Sequence, residues 1–247
     1  MKQMNGIKLR QIIPSVVTVF AICAGLTAVR MGLEGRLETA LLFILLAVFL
    51  DAADGKLARF LDSASPFGAE LDTLADFFNF GIVPGFLLYT TLYMGTADAN
   101  LGWLATLILA VCCALRLARF NLSIGDEKTP THKDNFFVGV PAPALGCLAL
   151  MPIFMHLSGW DDVNYPVLRT IYVVLVGLLA ISTIPTYSIK HMTIKREHMP
   201  FVTIGAVLIV ICLMTYTWPT LIAINLLYIG TFPFSYLAHR KQTTETN

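Results

Sequence analysis

Charge is scarce in this chain. Only 13% of the 247 residues are Asp, Glu, Lys or Arg, while 56% are hydrophobic; a soluble domain carries charge on about a quarter of its residues. That excludes a water-exposed surface over most of the chain and makes the bilayer the first candidate solvent, in keeping with a mean hydropathy of +0.71. Net charge is only +1, with no basic stripe or tail, which argues against a nucleic-acid partner. The five cysteines (Cys23, Cys112, Cys113, Cys147 and Cys212) all lie in apolar runs without metal-ligand spacing. They read as small buried hydrophobes, not as a disulfide framework. Linkers, low-complexity tracts and repeats are also lacking, so a single domain over residues 1–247 is expected.

What is abundant is long apolar runs. Segments able to cross a hydrocarbon core of about 30 Å recur near 12–31, 38–60, 69–94, 100–121, 139–158, 167–188, 199–217 and 218–238. They predict an all-α, polytopic integral-membrane bundle of about eight transmembrane helices. Backbone groups in lipid must be satisfied within each segment, and nothing alternates like a barrel strand. Only "TWPT" separates the last pair. The N-terminal stretch has the outline of a signal peptide, but its apolar core is too long for one, so it reads as a retained first helix.

Threading these helices with the N-terminus inside tests the orientation. One side receives Lys2, Lys8, Arg10, Lys56, Arg59, Arg116, Arg119, Lys128, Lys133, Lys190, Lys195, Arg196, Arg240 and Lys241. The other receives Arg30, Arg36 and Arg169. A split of fourteen to three makes both termini and the 59–69 loop cytoplasmic. Trp103, Trp160 and Trp218 fall near predicted helix ends, as interfacial belt residues do.

Against this background one stretch stands out: DAADGKLARFLDSASPFGAELDTLAD, residues 51–76. Asp51 and Asp54 sit three apart late in the second helix, and Asp72 and Asp76 sit four apart early in the third. Each pair shares a helical face, and the turn through "DSASPF" brings the faces together. Gly55, Ala58 and Gly68 leave room beside them for something bulky. Four converging carboxylates near a membrane interface persist only if cations or protons neutralise them. All-oxygen ligands favour Mg²⁺ or Mn²⁺ over zinc, and the charge suits two ions. Divalent ions beside a lipid surface suggest pyrophosphate chemistry, with Arg59 able to add a bidentate phosphate contact.

The spacing reads D-x2-D-G-x2-A-R-x8-G-x3-D-x3-D, filled by Asp51, Asp54, Gly55, Ala58, Arg59, Gly68, Asp72 and Asp76. At about 7% background each, these positions would match by chance about once in 10⁹. The pattern resembles the signature of the CDP-alcohol phosphotransferases, membrane enzymes that move a substituted phosphate from a CDP-linked donor to an alcohol and release CMP. The resemblance implies a two-metal site at Asp51, Asp54, Asp72 and Asp76, with Asp76 also the general base toward the acceptor hydroxyl. It implies that Gly55, Ala58 and Gly68 let cytidine and pyrophosphate approach, and that Arg59 engages donor phosphate. The family's P-N-x-x-T start of the first helix appears as Pro14-Ser15-Val16-Val17-Thr18, with Ser15 replacing Asn, and suggests Thr18 as a nucleotide contact.

The acceptor is addressed by later segments. "ALRLARFN" (114–121), "FFVGVPAPA" (136–144) and "LDTLADFFNFG" resemble the phosphatidylserine synthase branch, whose donor is CDP-diacylglycerol and whose acceptor is L-serine. That branch often has serine where this chain has Asn79, which lies three residues after Asp76 and could face the same cavity as a serine contact. A serine carboxylate needs a cation, and Arg116 or Arg119, with Asn121 following, could clamp it; Arg119 is favoured because Phe120 and Asn121 lead from it into the loop. Choline, glycerol 3-phosphate or an inositol phosphate remain alternative acceptors. A cation-coupled transporter is the reading of another class, although its carboxylates should spread through the bilayer. Gly139, Pro141 and Pro143 are expected to shape the start of the fifth helix, and the polar loop 122–135 to cover the site. The resemblance also implies homodimers. A prokaryotic inner (cytoplasmic) membrane, with the site facing the cytoplasm, is the expected location.

Overall fold

The computed structural model describes residues 9–63, 65–125, 136–160, 165–182, 185–187 and 199–245. Helices α1 (Leu9–Leu33) and α2 (Leu37–Phe60) form the most extensively packed pair. They are followed by α3 (Pro66–Asp76), a π-helical turn (Phe77–Ile82) and α4 (Val83–Leu92), which run on as one rod. Then come α5 (Ala99–Gly125), α6 (Ala142–Ala149), α7 (Met151–Leu157), α8 (Pro166–Ile181), α9 (Met199–Thr215) and α10 (Thr217–Glu245). Strands β1 (Phe136–Val138) and β2 (Pro185–Tyr187) form one short antiparallel ladder. The described chain is therefore helical apart from these two strands of three residues each.

Among the described residues, three stretches are long and apolar enough to cross a membrane: Ile12–Leu33, Pro66–Leu92 and Ala99–Leu122. Shorter apolar helices cover Pro166–Ile181, Met199–Thr215 and Thr217–Phe232. Helix α2 has comparable length, but Asp51, Asp54, Lys56 and Arg59 fall within it. Large apolar side chains face outward from α1, α5, α8 and α9, among them Phe20, Leu107, Leu175 and Ile204. In α9 no residue is buried at all. Such surface would drive aggregation in water and is at home in lipid, so this is a membrane protein.

The expected segment 69–94 is one rod with a defect inside it. Pro84 has no N–H and its ring crowds the carbonyl of residue 80, so the regular ladder fails there. The chain widens instead, and the Val83 N–H reaches the Phe78 carbonyl. Segment 139–158 divides into α6 and α7 at Leu150, for the same kind of reason at Pro152. Pro152 cannot serve the Leu148 carbonyl, and the Tyr172 hydroxyl donates to it instead at 2.9 Å. One residue earlier, the Cys147 carbonyl accepts from Asn225 Nδ2 at 3.0 Å, which ties α10 to the break. Segment 167–188 is shorter than expected, since α8 stops at Ile181 and Pro185 begins β2. The last pair divides at Tyr216 alone.

The core joins Phe80 of the π turn to Leu87, Leu88, Leu109, Leu145 and Phe154. Trp218, at the start of α10, is half-buried and stacks on Phe154, with ring centroids 6.1 Å apart. Trp103 and Trp160 are exposed as expected, at 46% and 58%. All five cysteines are free.

Candidate active site

The α2–α3 turn places the acidic residues. Asp62 adopts φ 46°, the left-handed conformation that closes a helix end. The N–H of Ser63 bonds the Ala58 carbonyl at 3.0 Å, and that of Asp62 bonds the Arg59 carbonyl at 3.3 Å. Ser65 then caps α3, its Oγ accepting from the Gly68 N–H at 3.0 Å, with Pro66 at the first helical position. The reversal turns the carboxylates of α3 toward those of α2, and α1 packs against both helices.

In this hairpin an oxygen from each of Asp51, Asp54 and Asp72 lies within 4.8 Å of the other two. The Asp76 carboxyl group is within hydrogen-bonding reach of Asp51. Asp54 is 3% exposed, and the Thr18 hydroxyl donates to its Oδ2 at 2.6 Å. Its Oδ1 and the Oδ1 of Asp76 are buried without a protein partner. Among the described residues no lysine or arginine closes an ion pair on any of these carboxylates. Carboxylates so close, and so poorly served by the protein, call for an external cation or a shared proton. The all-oxygen donor set and the two orphaned oxygens fit a hard divalent ion, so the cluster can hold a metal.

A cavity of about 150 Å³ opens beside the carboxylates. Its walls come from α1 (Pro14, Ser15, Thr18), α2 (Asp54, Gly55, Ala58), the turn (Ser63, Ser65) and α3 (Gly68, Ala69, Asp72). Gly55 is informative because a Cβ there would meet no atom within 4 Å. A glycine inside a helix costs about 1 kcal/mol relative to alanine, and here packing gives nothing in return. The gap it leaves is available to a ligand. At Gly68, by contrast, a Cβ would stand 3.1 Å from the capping Ser65 Oγ.

A model of the CDP-alcohol phosphatidyltransferase family matches residues 11–184, which include the whole cluster and its cavity. The chain belongs to this family. Similar proteins are named CDP-diacylglycerol–serine O-phosphatidyltransferase. The one from Mycobacterium tuberculosis is 44% identical over 164 residues, covering 63% of this chain and 56% of that protein. The one from Mycobacterium leprae is 40% identical over 193 residues, covering 76% and 62%. The chain thus spans less than two thirds of the length of these two relatives. The one from Methanocaldococcus jannaschii is 34% identical over 180 residues, covering 72% of this chain and 76% of its own.

In this chain the structure brings Asp51, Asp54, Asp72 and Asp76 together, and Gly55, Ala58, Gly68 and Thr18 line the cavity beside them. Thr18 also has a direct partner in Asp54 that the sequence did not announce. Arg59 is not among the lining residues; its Nε donates to the Gly55 carbonyl of its own helix at 3.0 Å. Arg119, the favoured carboxylate clamp, holds the C-terminal carbonyls of α8. Its guanidinium donates to Ile181, and its Nη2 reaches Ala180 and Ser182 at 3.4 and 3.3 Å. Gly139 completes this junction at φ 79°, where a Cβ would stand 2.7 Å from the Ala180 carbonyl oxygen.

Arg116 stands nearer the chemistry. Its Nε donates to the Val140 carbonyl, and it lies near enough to Asp76 for their charges to interact without an ion pair. Asn121 donates to Thr73 Oγ1 at 3.2 Å, tying α5 to the helix that bears Asp72. Asn79, on the π turn, is 1% exposed with neither amide atom paired. It lies against α1 so closely that a Cβ on Gly25 would come within 2.0 Å of its Oδ1. Residues missed by the sequence reading include Ser63, Ser65 and Ala69. The Ser-Pro start of α3 is the cap signal that could have found Ser65. Residues 126–135, in the loop expected to cover the site, lie outside the described ones.

Proposed function

We propose that this chain transfers the phosphatidyl group of CDP-diacylglycerol to the hydroxyl of L-serine, giving phosphatidylserine and CMP by direct displacement. The observation that carries this reading is the acidic cluster with two orphaned carboxylate oxygens, opening onto a cavity walled by Gly55, Ala58 and Gly68. The names of the relatives supply the donor and the acceptor.

Asp51, Asp54, Asp72 and Asp76 would hold divalent metal, Mg²⁺ or Mn²⁺ and two ions by charge count. Metal bound there would neutralise the donor pyrophosphate and the departing CMP. Thr18 fixes one oxygen of Asp54 and leaves the other for ligand. Gly55, Ala58 and Gly68 would admit the cytidine and pyrophosphate to the cavity beside the carboxylates. Arg59 would reach donor phosphate only after releasing its own helix. Asp76 takes the proton of the serine hydroxyl as its oxygen attacks the lipid-side phosphorus. The P–O bond to CMP breaks, and CMP leaves as its phosphate anion. Arg116 is the best placed of the four serine candidates for the carboxylate. Asn79 and Asn121 would border the acceptor, and Arg119 supports the pocket from the α8 end.

In the membrane, α1, α2, the α3–α4 rod, α5, the broken α6–α7 pair, α8, α9 and α10 would make eight crossings in a single domain. The excess of Lys and Arg on the carboxylate side orients the site to the cytoplasm. The microbial relatives favour the cytoplasmic membrane of a prokaryote, and dimerisation is the family expectation. The test is purified protein given CDP-diacylglycerol, Mg²⁺ or Mn²⁺, and a panel of alcohols. CMP release that requires L-serine supports the reading, whereas release with glycerol 3-phosphate, choline or an inositol phosphate instead would replace the acceptor. An Asp76→Asn protein should lose about 10²–10⁴-fold in rate; a near-normal rate would remove Asp76 as the base.

A further inference from the structure

A second cavity lies at the opposite end of the bundle and is larger, about 360 Å³, within the range of small-molecule sites. Two points fix its place. The Tyr93 hydroxyl bonds Thr170 Oγ1 at 3.1 Å, beside this cavity, and Tyr93 packs on Gly102 near the start of α5. Arg116, farther along α5, acts on Asp76. Between Gly102 and Arg116 the helix rises about 21 Å, most of the thickness of a hydrocarbon core.

The cavity is a cleft between α7 and the first half of α8. Met151 and Met155 line it from one side and Leu168 from the other, with Trp160 and Tyr165 beside Arg169 among the remaining walls. Trp160 and Tyr165 are each 58% exposed and Leu168 62%, so the cleft is open toward its surroundings. Methionine side chains adapt to irregular apolar chains. Trp and Tyr favour the level of lipid headgroups. Among the described residues, Arg169 is the charged one in the lining. Its guanidinium has five N–H donors in a fork that matches phosphate, enough for a phosphate beside an intramolecular acceptor.

We propose that this cleft is a phospholipid-binding site in the leaflet opposite the carboxylates, seating an acyl chain between Met151, Met155 and Leu168 and the headgroup phosphate on Arg169. The bilayer supplies the occupant at high local concentration, and the guanidinium fork of Arg169 matches its phosphate. The proposal does not depend on which alcohol the enzyme uses.

The test is fluorescence of the full-length detergent-solubilised protein titrated with phosphatidylglycerol bearing brominated acyl chains. Bromine quenches tryptophan on contact, and comparison with Trp160→Phe isolates the signal at the cleft. A saturable component that depends on Trp160 and weakens about tenfold in Arg169→Gln is expected, the low end for a charge-assisted contact. Arg169→Lys should fall between the two. CMP release by Arg169→Gln should stay near normal, which shows the variant to be folded. Quenching that rises linearly without saturating, or equal saturation in wild type and Arg169→Gln, would overturn the site. So would protection of Trp160 that follows protein concentration instead of lipid, which would mark a contact between copies.

Discussion

The two cavities divide the molecule by chemistry. At one end about 150 Å³ is walled by small residues and carboxylates, and the protein leaves two oxygens there without partners. At the other end about 360 Å³ is walled by methionine, aromatic rings and leucine, and the polar hydroxyl of Tyr172 is already used on a backbone carbonyl. The first is unfinished as protein structure and asks for a ligand that brings positive charge. The second is lined mainly by apolar side chains and suits an apolar chain with an anion near Arg169. Stability and catalysis should therefore separate between the two ends, and substitutions can test that.

The largest effect is expected at Asp54. Asp54→Asn keeps the shape but removes the charge, and loss of transferase activity beyond about 100-fold is expected, since even supporting residues of metal sites cost 10–100-fold. Metal binding, read by Mn²⁺ electron paramagnetic resonance on the purified protein, should weaken in parallel. Chelation of the wild type should abolish transfer, and added Mg²⁺ or Mn²⁺ should restore it. Wild-type metal affinity in Asp54→Asn would break the comparison at its strongest point.

A subtler effect belongs to Thr18. Its hydroxyl fixes Asp54 Oδ2 at 2.6 Å, so Thr18→Val should lower metal affinity about 10–100-fold while excess metal recovers much of the rate. Thr18→Ser should stay close to wild type. If Thr18→Val instead raises KM for CDP-diacylglycerol and leaves metal affinity unchanged, Thr18 is a nucleotide contact, as the first-helix motif suggests.

These cases show what was legible in the chain. The acidic cluster could be read because helical phase alone puts residues three or four apart on one face, and the Ser-Pro cap fixes where α3 begins. Thr18 could be suspected but not assigned, since its partner comes from another helix. Arg119 could be suspected but not assigned for a related reason. A cationic side chain at the end of α5 suits a substrate carboxylate and a row of helix-terminal carbonyls equally well, and its bonds to the end of α8 at Ile181 come from an element far away in sequence. Broken helices were hidden because apolar composition runs unchanged through Pro84 and Pro152. Hydropathy reports the solvent, while these prolines act on the backbone.

The smallest expected effect tests the far end, where structure without chemistry should fail quietly. Pro152 leaves the Leu148 carbonyl without its helical donor, and Tyr172 repairs this at 2.9 Å. Tyr172→Phe keeps the ring and removes the repair. A buried acceptor left unpaired costs about 1–3 kcal/mol, which in a chain of this size lowers the thermal midpoint by at least 2–4 °C. CMP release at 25 °C should remain near wild type, because Tyr172 touches none of the four carboxylates. A midpoint unchanged within error would mean that water or lipid reaches the freed carbonyl, and the α6–α7 break would then be wet. A large loss of transfer with an unchanged midpoint would be more damaging: it would mean that the far end governs the chemistry, and the two cavities could no longer be treated as independent.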